Sequence, residues 1–134
     1  MGGANTIYFA YGSNMCAPRL KRRTASARFV SIGRLDQYSL RFHKLGLDGS
    51  GKADAYYTGQ DEDHVWGVVF ELNQSDKQVL DQFESLGVGY DQKEIFVDTL
   101  EGSTIQATIY CARSEAIRRE LNPFSWYLWF LISG

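Results

Sequence analysis

Tyr8-Phe9-Ala10-Tyr11-Gly12-Ser13-Asn14 is an aromatic, apolar run that stops at a glycine followed by two hydrogen-bonding side chains. The stretch from Ile7 to Tyr11 is rich in β-branched and aromatic residues and suits a buried strand. Gly12 permits a backbone turn that most residues resist. Ser13 or Asn14 then caps a short helix, whose first N–H groups have no intrahelical partner. Such a cluster binds anions, so the turn suits a carboxylate or a phosphate. An ordinary strand-to-helix connection looks the same, so the stretch speaks to fold before chemistry.

The rest of the 134-residue chain is expected to form one domain, residues 1–134, around a single core. Its 44% hydrophobic and 22% charged residues are those of a globular protein, and a net charge of -2 draws it to neither nucleic acid nor membrane. Arg19, Lys21, Arg22, Arg23 and Arg28 form a local basic cluster, read as a solvated helix face because no aromatic residues interleave it. Cys16, Cys111, His43 and His64 are too few and too scattered for a zinc site, and no metal or cofactor is expected. Free thiols and the lack of a basic or apolar leader in Met1 to Asn5 point to the cytoplasm. The apolar run Trp126 to Ile132 is far shorter than the roughly 20 residues of a membrane span.

Along the chain, Pro18 to Arg23 reads as a short helix. Phe29 to Gly33, Tyr38 to His43, Ala53 to Thr58 and Val65 to Leu72 read as strands. Asn73 is placed to cap a helix with Asp76 in its first turn, and Gly87 to follow its end near Leu86. Val79, Leu80 and Phe83 are its expected buried face. Glu94 to Leu100 and Thr104 to Ala112 form a further strand pair through Glu101-Gly102, and a last segment starts near Ser125. Strands joined by short turns, with one clear mid-chain helix, disfavour a doubly wound sheet. The expected fold is α+β: a small mixed β-barrel of six or seven strands with two or three helices packed outside.

Within that helix the spacing turns Asp81 nearly opposite the Val79–Leu80–Phe83 face, toward solvent. Glu84 is different. It falls about 90 degrees from the centre of that face, at the border of core and solvent. It also stands in the last turn, where the macrodipole disfavours negative charge. A half-sheltered carboxylate there is expected to hold its proton more tightly, which suits a general base or acid near neutral pH. A strained surface glutamate fits the same position.

Taken together, Tyr11-Gly12-Ser13-Asn14 after an apolar strand and Leu80-Asp81-Gln82-Phe83-Glu84 leading to Gly87-x-Gly89-Tyr90 resemble the γ-glutamylcyclotransferase-like family. Gly51-Lys52-Ala53, Val65-Trp66-Gly67-Val68, Tyr110 and Asn122-Pro123-Phe124-Ser125-Trp126-Tyr127 are also similar to that family's pattern and occur in its order. The resemblance spans Tyr8 to Gly134. Family members usually continue through a further helix and tail, whereas this sequence stops at Leu131-Ile132-Ser133-Gly134.

The resemblance implies intramolecular aminolysis, in which the α-amine of a γ-glutamyl group attacks its own γ-carbonyl to leave 5-oxoproline and a free amine. Glu84 takes the catalytic position, and the substrate-binding residues are Tyr11, Gly12, Ser13, Asn14 and Met15, with Tyr110 and Tyr127 as hydroxyl donors. No cofactor is implied. The partner is a small γ-glutamyl molecule, and the apolar carboxyl-terminal segment suggests a homodimer. Two other classes compete. A thiol enzyme would use Cys16 with His43 or His64. A non-catalytic domain would bind a small anion or a partner on the same fold, although recognition of a carboxylate gains nothing from Glu84.

Overall fold

A computed structural model describes residues 5–12, 17–45, 51–83, 87 and 89–113. Seven strands and two helices run through them: β1 (Thr6–Ala10), α1 (Ala17–Arg23), β2 (Arg28–Asp36), β3 (Tyr38–Leu45), β4 (Gly51–Tyr57), β5 (His64–Leu72), α2 (Gln74–Phe83), β6 (Tyr90–Thr99) and β7 (Thr104–Ala112). Five strands close into a barrel in the order β1, β5, β2, β6, β7, while β3 and β4 form a separate two-stranded ribbon. The barrel is mixed, because β1 runs parallel to β7, with Tyr8 opposite Thr108, and every other neighbour is antiparallel. The expected small mixed barrel is therefore found, with five of the seven strands in its wall.

The pleat divides the apolar residues into two layers. Phe9, Val65, Val69, Ile95, Val97, Ala107 and Ile109 fill the barrel, joined at one end by Tyr11, Leu35, Cys111 and the ribbon residues Tyr38, Ala53 and Ala55. Tyr8, Ala10, Phe70, Leu72 and Tyr110 face outward and are covered by Leu20 of α1 and Leu80 of α2. Phe9 needs room inside the wall, and two glycines supply it. Gly33 and Gly67 are direct partners across β2 and β5. A Cβ on Gly67 would stand 2.5 Å from the Ala10 carbonyl oxygen and 2.6 Å from Phe9 Cζ.

The helix α2 starts as its sequence dictates. Asn73 Oδ1 accepts the Asp76 amide at 2.8 Å, and the Asp76 carboxylate accepts the Ser26 amide at 2.7 Å. Ser26 Oγ closes the circuit on the Asn73 amide at 3.0 Å. The cap thus also fastens the turn between α1 and β2. The buried face differs from expectation: it is made by Leu80 and Lys77, and Phe83 is 55% exposed. Lys77 buries its aliphatic stem, and the Arg23 guanidinium lies 4.7 Å from the Phe83 ring, so Phe83 packs sideways on α1 instead of inward.

Candidate active site

Strand directions gather the candidate residues at one end of the barrel. The carboxyl-terminal ends of β1 and β7 lie side by side there, next to the amino-terminal end of β6. β2 also ends there, and at Gln37 (φ 70°) the chain turns into the ribbon. Gln37 fixes the ribbon's base: its amide donates to Asp63 at 2.8 Å and its carbonyl accepts the Thr58 amide at 2.9 Å. The ribbon then folds over the barrel end. Tyr90 donates its hydroxyl to the Ala53 carbonyl at 2.8 Å, and the Ala112 amide donates to Asp54 Oδ1 at 2.7 Å.

Under the ribbon lies a buried polar cluster. The Tyr11 hydroxyl donates to the Tyr110 carbonyl, fastening the last residue before Gly12 to β7. Burial, then the neighbouring Tyr90, Cys111 and Asp54, push the Tyr11 phenol well above its ordinary range, against a hydrogen bond with the Ala55 backbone. The ring therefore stays neutral. The Cys111 thiol, also buried, is pushed up to about 12, with Lys93 opposing and Asp54 adding to the effect. Such a thiol is protonated and unreactive near neutral pH. His64 is exposed and packs edge-on to Trp66, with ring centroids 5.9 Å apart.

On the other flank of β7, Arg113 holds the connection between α2 and β6. Its amide donates to the Gly89 carbonyl at 3.0 Å and its Nη1 to the Gly87 carbonyl at 2.8 Å. Gly87 has φ 84°, which its lack of a Cβ allows, and its amide donates to the Tyr90 carbonyl at 2.8 Å. The residues at the end of β7 thus join positions far apart in sequence: Tyr11 through the Tyr110 carbonyl, and Gly87 and Gly89 through Arg113.

Of the sequence-derived site residues, Tyr11, Gly12 and Tyr110 lie within the described structure. Ser13, Asn14, Met15, Glu84 and Tyr127 lie outside the described residues, as does Cys16. Tyr11 is joined to β7 through the Tyr110 carbonyl, and Gly12 follows it. Tyr110 has its ring in the outer layer beneath α2, where its hydroxyl donates to Asp81. Asp81 corrects the sequence reading. Its carboxylate faces the barrel rather than solvent, and accepts Lys77 Nζ at 2.5 Å as well as the Tyr110 hydroxyl. The error came from leaving Lys77 out of the buried face: Val79, Leu80 and Phe83 centre the inner direction about 150° from Asp81, whereas Leu80 with Lys77 centres it about 70° away.

Asp54, Tyr90 and Arg113 were missed as parts of this end of the barrel. Tyr90 closes the quoted Gly87-x-Gly89-Tyr90 motif, and that was its signal. Asp54, 1% exposed, was a single carboxylate in an apolar strand, and Arg113 carried no signal.

A five-stranded mixed barrel with a two-stranded ribbon folded over one end is the fold of the cyclotransferase class. A solved structure of a gamma-glutamyl cyclotransferase superposes with a TM-score of 0.74 at 32% identity, covering 81% of this chain and 67% of that one. The family model described as gamma-glutamyl cyclotransferase, AIG2-like matches residues 8–127, and this chain belongs to that family. It is 35% identical over 115 residues to a Bos taurus gamma-glutamylcyclotransferase, covering 81% of this chain and 60% of the relative. The corresponding Homo sapiens protein is 35% identical over 112 residues, covering 78% and 57%. The chain therefore spans less than two thirds of the length of these curated relatives.

Proposed function

We propose that this protein converts a γ-glutamyl amino acid or γ-glutamylamine into 5-oxoproline and the free amine. The observation that carries the reading is the family match over residues 8–127 on a barrel that fastens Tyr11, Gly87 and Gly89 to the end of β7.

In the reaction, the substrate's α-nitrogen bonds to its own γ-carbonyl carbon and the amide bond to the departing amine breaks. The α-amine is mostly protonated near pH 7, so a base must take a proton first. Glu84 takes it and returns it to the leaving nitrogen, and the second proton, lost as the ring nitrogen becomes an amide, leaves with the freed amine as its ammonium form, so the enzyme ends as it began. The repeat that contains Lys77, Leu80 and Asp81 has position 84 as its next member. Backbone amides from Gly12 to Met15 hold the α-carboxylate and the carbonyl oxygen as negative charge develops. Tyr11 contributes by bracing this turn, since its hydroxyl is already given to Tyr110. Tyr127 completes the binding set, while the Tyr110 hydroxyl, already given to Asp81, acts through the wall of the barrel and not on the substrate. Ring closure of a folded glutamyl chain gains its rate from proximity and needs no covalent enzyme intermediate.

Among the described residues no helix is long and apolar enough to cross a membrane, and Cys111 is a free thiol. A reducing, cytoplasmic setting suits that chemistry. The apolar carboxyl-terminal run lies outside the described residues. The homodimer it suggests is checked by sedimentation at micromolar concentration.

The test is release of 5-oxoproline from a panel of γ-glutamyl amino acids, γ-glutamyl-lysine isopeptide, glutathione and γ-glutamylamines. Glu84→Gln should lower turnover of the best substrate by ~10²-fold or more while the chain stays folded. Full activity in that variant would remove Glu84 from the mechanism. No turnover of any panel member, with 5-oxoproline still bound, would favour the non-catalytic reading.

A further inference from the structure

Lys77, Asp81, Gln92 and Tyr110 form a polar cluster between α2 and the outer wall of the barrel. Lys77 Nζ donates to Asp81 Oδ1 at 2.5 Å and to Gln92 Oε1 at 2.7 Å, and lies 5.5 Å from the centre of the Tyr110 ring. The Tyr110 hydroxyl donates to the same Asp81 oxygen. Its ring packs edge-on against Tyr8 of β1, with centroids 5.8 Å apart and planes at 68°. One carboxylate thus connects α2 to β6, β7 and β1.

Stability alone does not account for Asp81. It occupies the last turn of α2, which holds no basic residue, and the macrodipole disfavours a carboxylate there. A well-packed apolar side chain would cover the barrel at least as well as a sheltered ion pair. What the carboxylate does provide is direction. It fixes the rotation of the helix end about its axis, because it ties α2 to Tyr110 of β7 while Lys77, bound to the same oxygen, reaches Gln92 of β6.

We propose that Asp81 is a positioning residue for the cyclisation, setting the end of α2 against β7 three residues ahead of Glu84. The inference rests on the assignment of Glu84 as the proton shuttle. Loss of the Asp81–Tyr110 contact then leaves substrate affinity and displaces the base, and a displacement of about 1 Å is enough to cost ~10²-fold in rate.

The experiment compares wild type, Asp81→Asn, Tyr110→Phe, the double variant and Glu84→Gln, each checked for folding by thermal unfolding. Expected is a fall in kcat of about tenfold or more for Asp81→Asn and for Tyr110→Phe, with KM changed little. The double variant should fall no further than the worse single one, since both break the same contact. If Asp81→Asn fails to fold because Lys77 loses its partner, Tyr110→Phe, which keeps that pair, carries the test. A wild-type kcat in folded Tyr110→Phe or Asp81→Asn, with Glu84→Gln inactive, overturns the positioning role alone. An active Glu84→Gln overturns it together with the assignment on which it rests.

Discussion

The hydroxyl of Tyr11 donates to the main-chain carbonyl of Tyr110, 99 positions further along the chain. This contact ties the residue before the glycine turn to the strand that also holds the α2–β6 link through Arg113. Tyr11→Phe keeps the ring and removes the tie. Loss of a buried hydrogen bond that leaves a partner unsatisfied costs about 1–3 kcal/mol. Urea unfolding should record that loss, and titration with 5-oxoproline should show weaker binding. Unchanged values in both would show that the tie braces nothing.

Alkaline pH should unfold the protein through two buried acids. Cys111 has an ordinary pKa of 9.0 and is raised to about 12 in the fold, and Tyr11 is raised above its ordinary 10.0. Above the ordinary values the unfolded chain releases protons that the folded chain retains. Stability is therefore complete below pH 9 and falls as pH rises, by up to ~1.4 kcal/mol per pH unit for each group. Cys111→Ala should abolish the part of the slope that begins near pH 9 and leave most of the proposed 5-oxoproline release. A slope between pH 9 and 10 equal to that of wild type would contradict this.

Gly67→Ala tests the barrel interior beneath the turn. The added methyl meets the Ala10 carbonyl oxygen at 2.5 Å and Phe9 Cζ at 2.6 Å, and backbone cannot rotate aside as a flexible side chain can. Overpacking of this kind costs typically ~1–3 kcal/mol. A lower unfolding midpoint is expected. A midpoint equal to that of wild type would mean that β1 moves freely against β5.

Asn73→Ala removes the cap of α2 and should cost about 1 kcal/mol. Because the cap circuit includes Ser26, hydrogen exchange should accelerate in the turn before β2 as well as in the first turn of the helix. Acceleration in the helix alone would separate the two.

Much of this was legible from the residues. The apolar run ending at Gly12 marked β1 to within a residue, and Asn73 with Asp76 marked the start of α2, because both signals are local. Tyr38 to His43, which alternates, and Ala53 to Thr58 read as strands, but the residues did not show their sheet. A period of two reports faces, while pairing β3 with β4 outside the barrel is decided by the Gln37 turn and by Asp54 reaching Ala112. Asp81 was misread for a related reason. Helical spacing gives relative angles, and the inner direction depends on which neighbours exist. Arg23 drew Phe83 sideways, and Lys77, a residue usually solvated, took the inner place.

The parallel contact of β1 with β7 closes the barrel, and it joins the first and last of the described strands. On the ribosome, β1 can pair with β5 before β7 exists, so its second edge stays open until residues 104–112 emerge. An open edge recruits other strands, and contacts so distant in sequence form slowly. The pace of folding and the period of exposure to aggregation are thus both set by the arrival of residues 104–112.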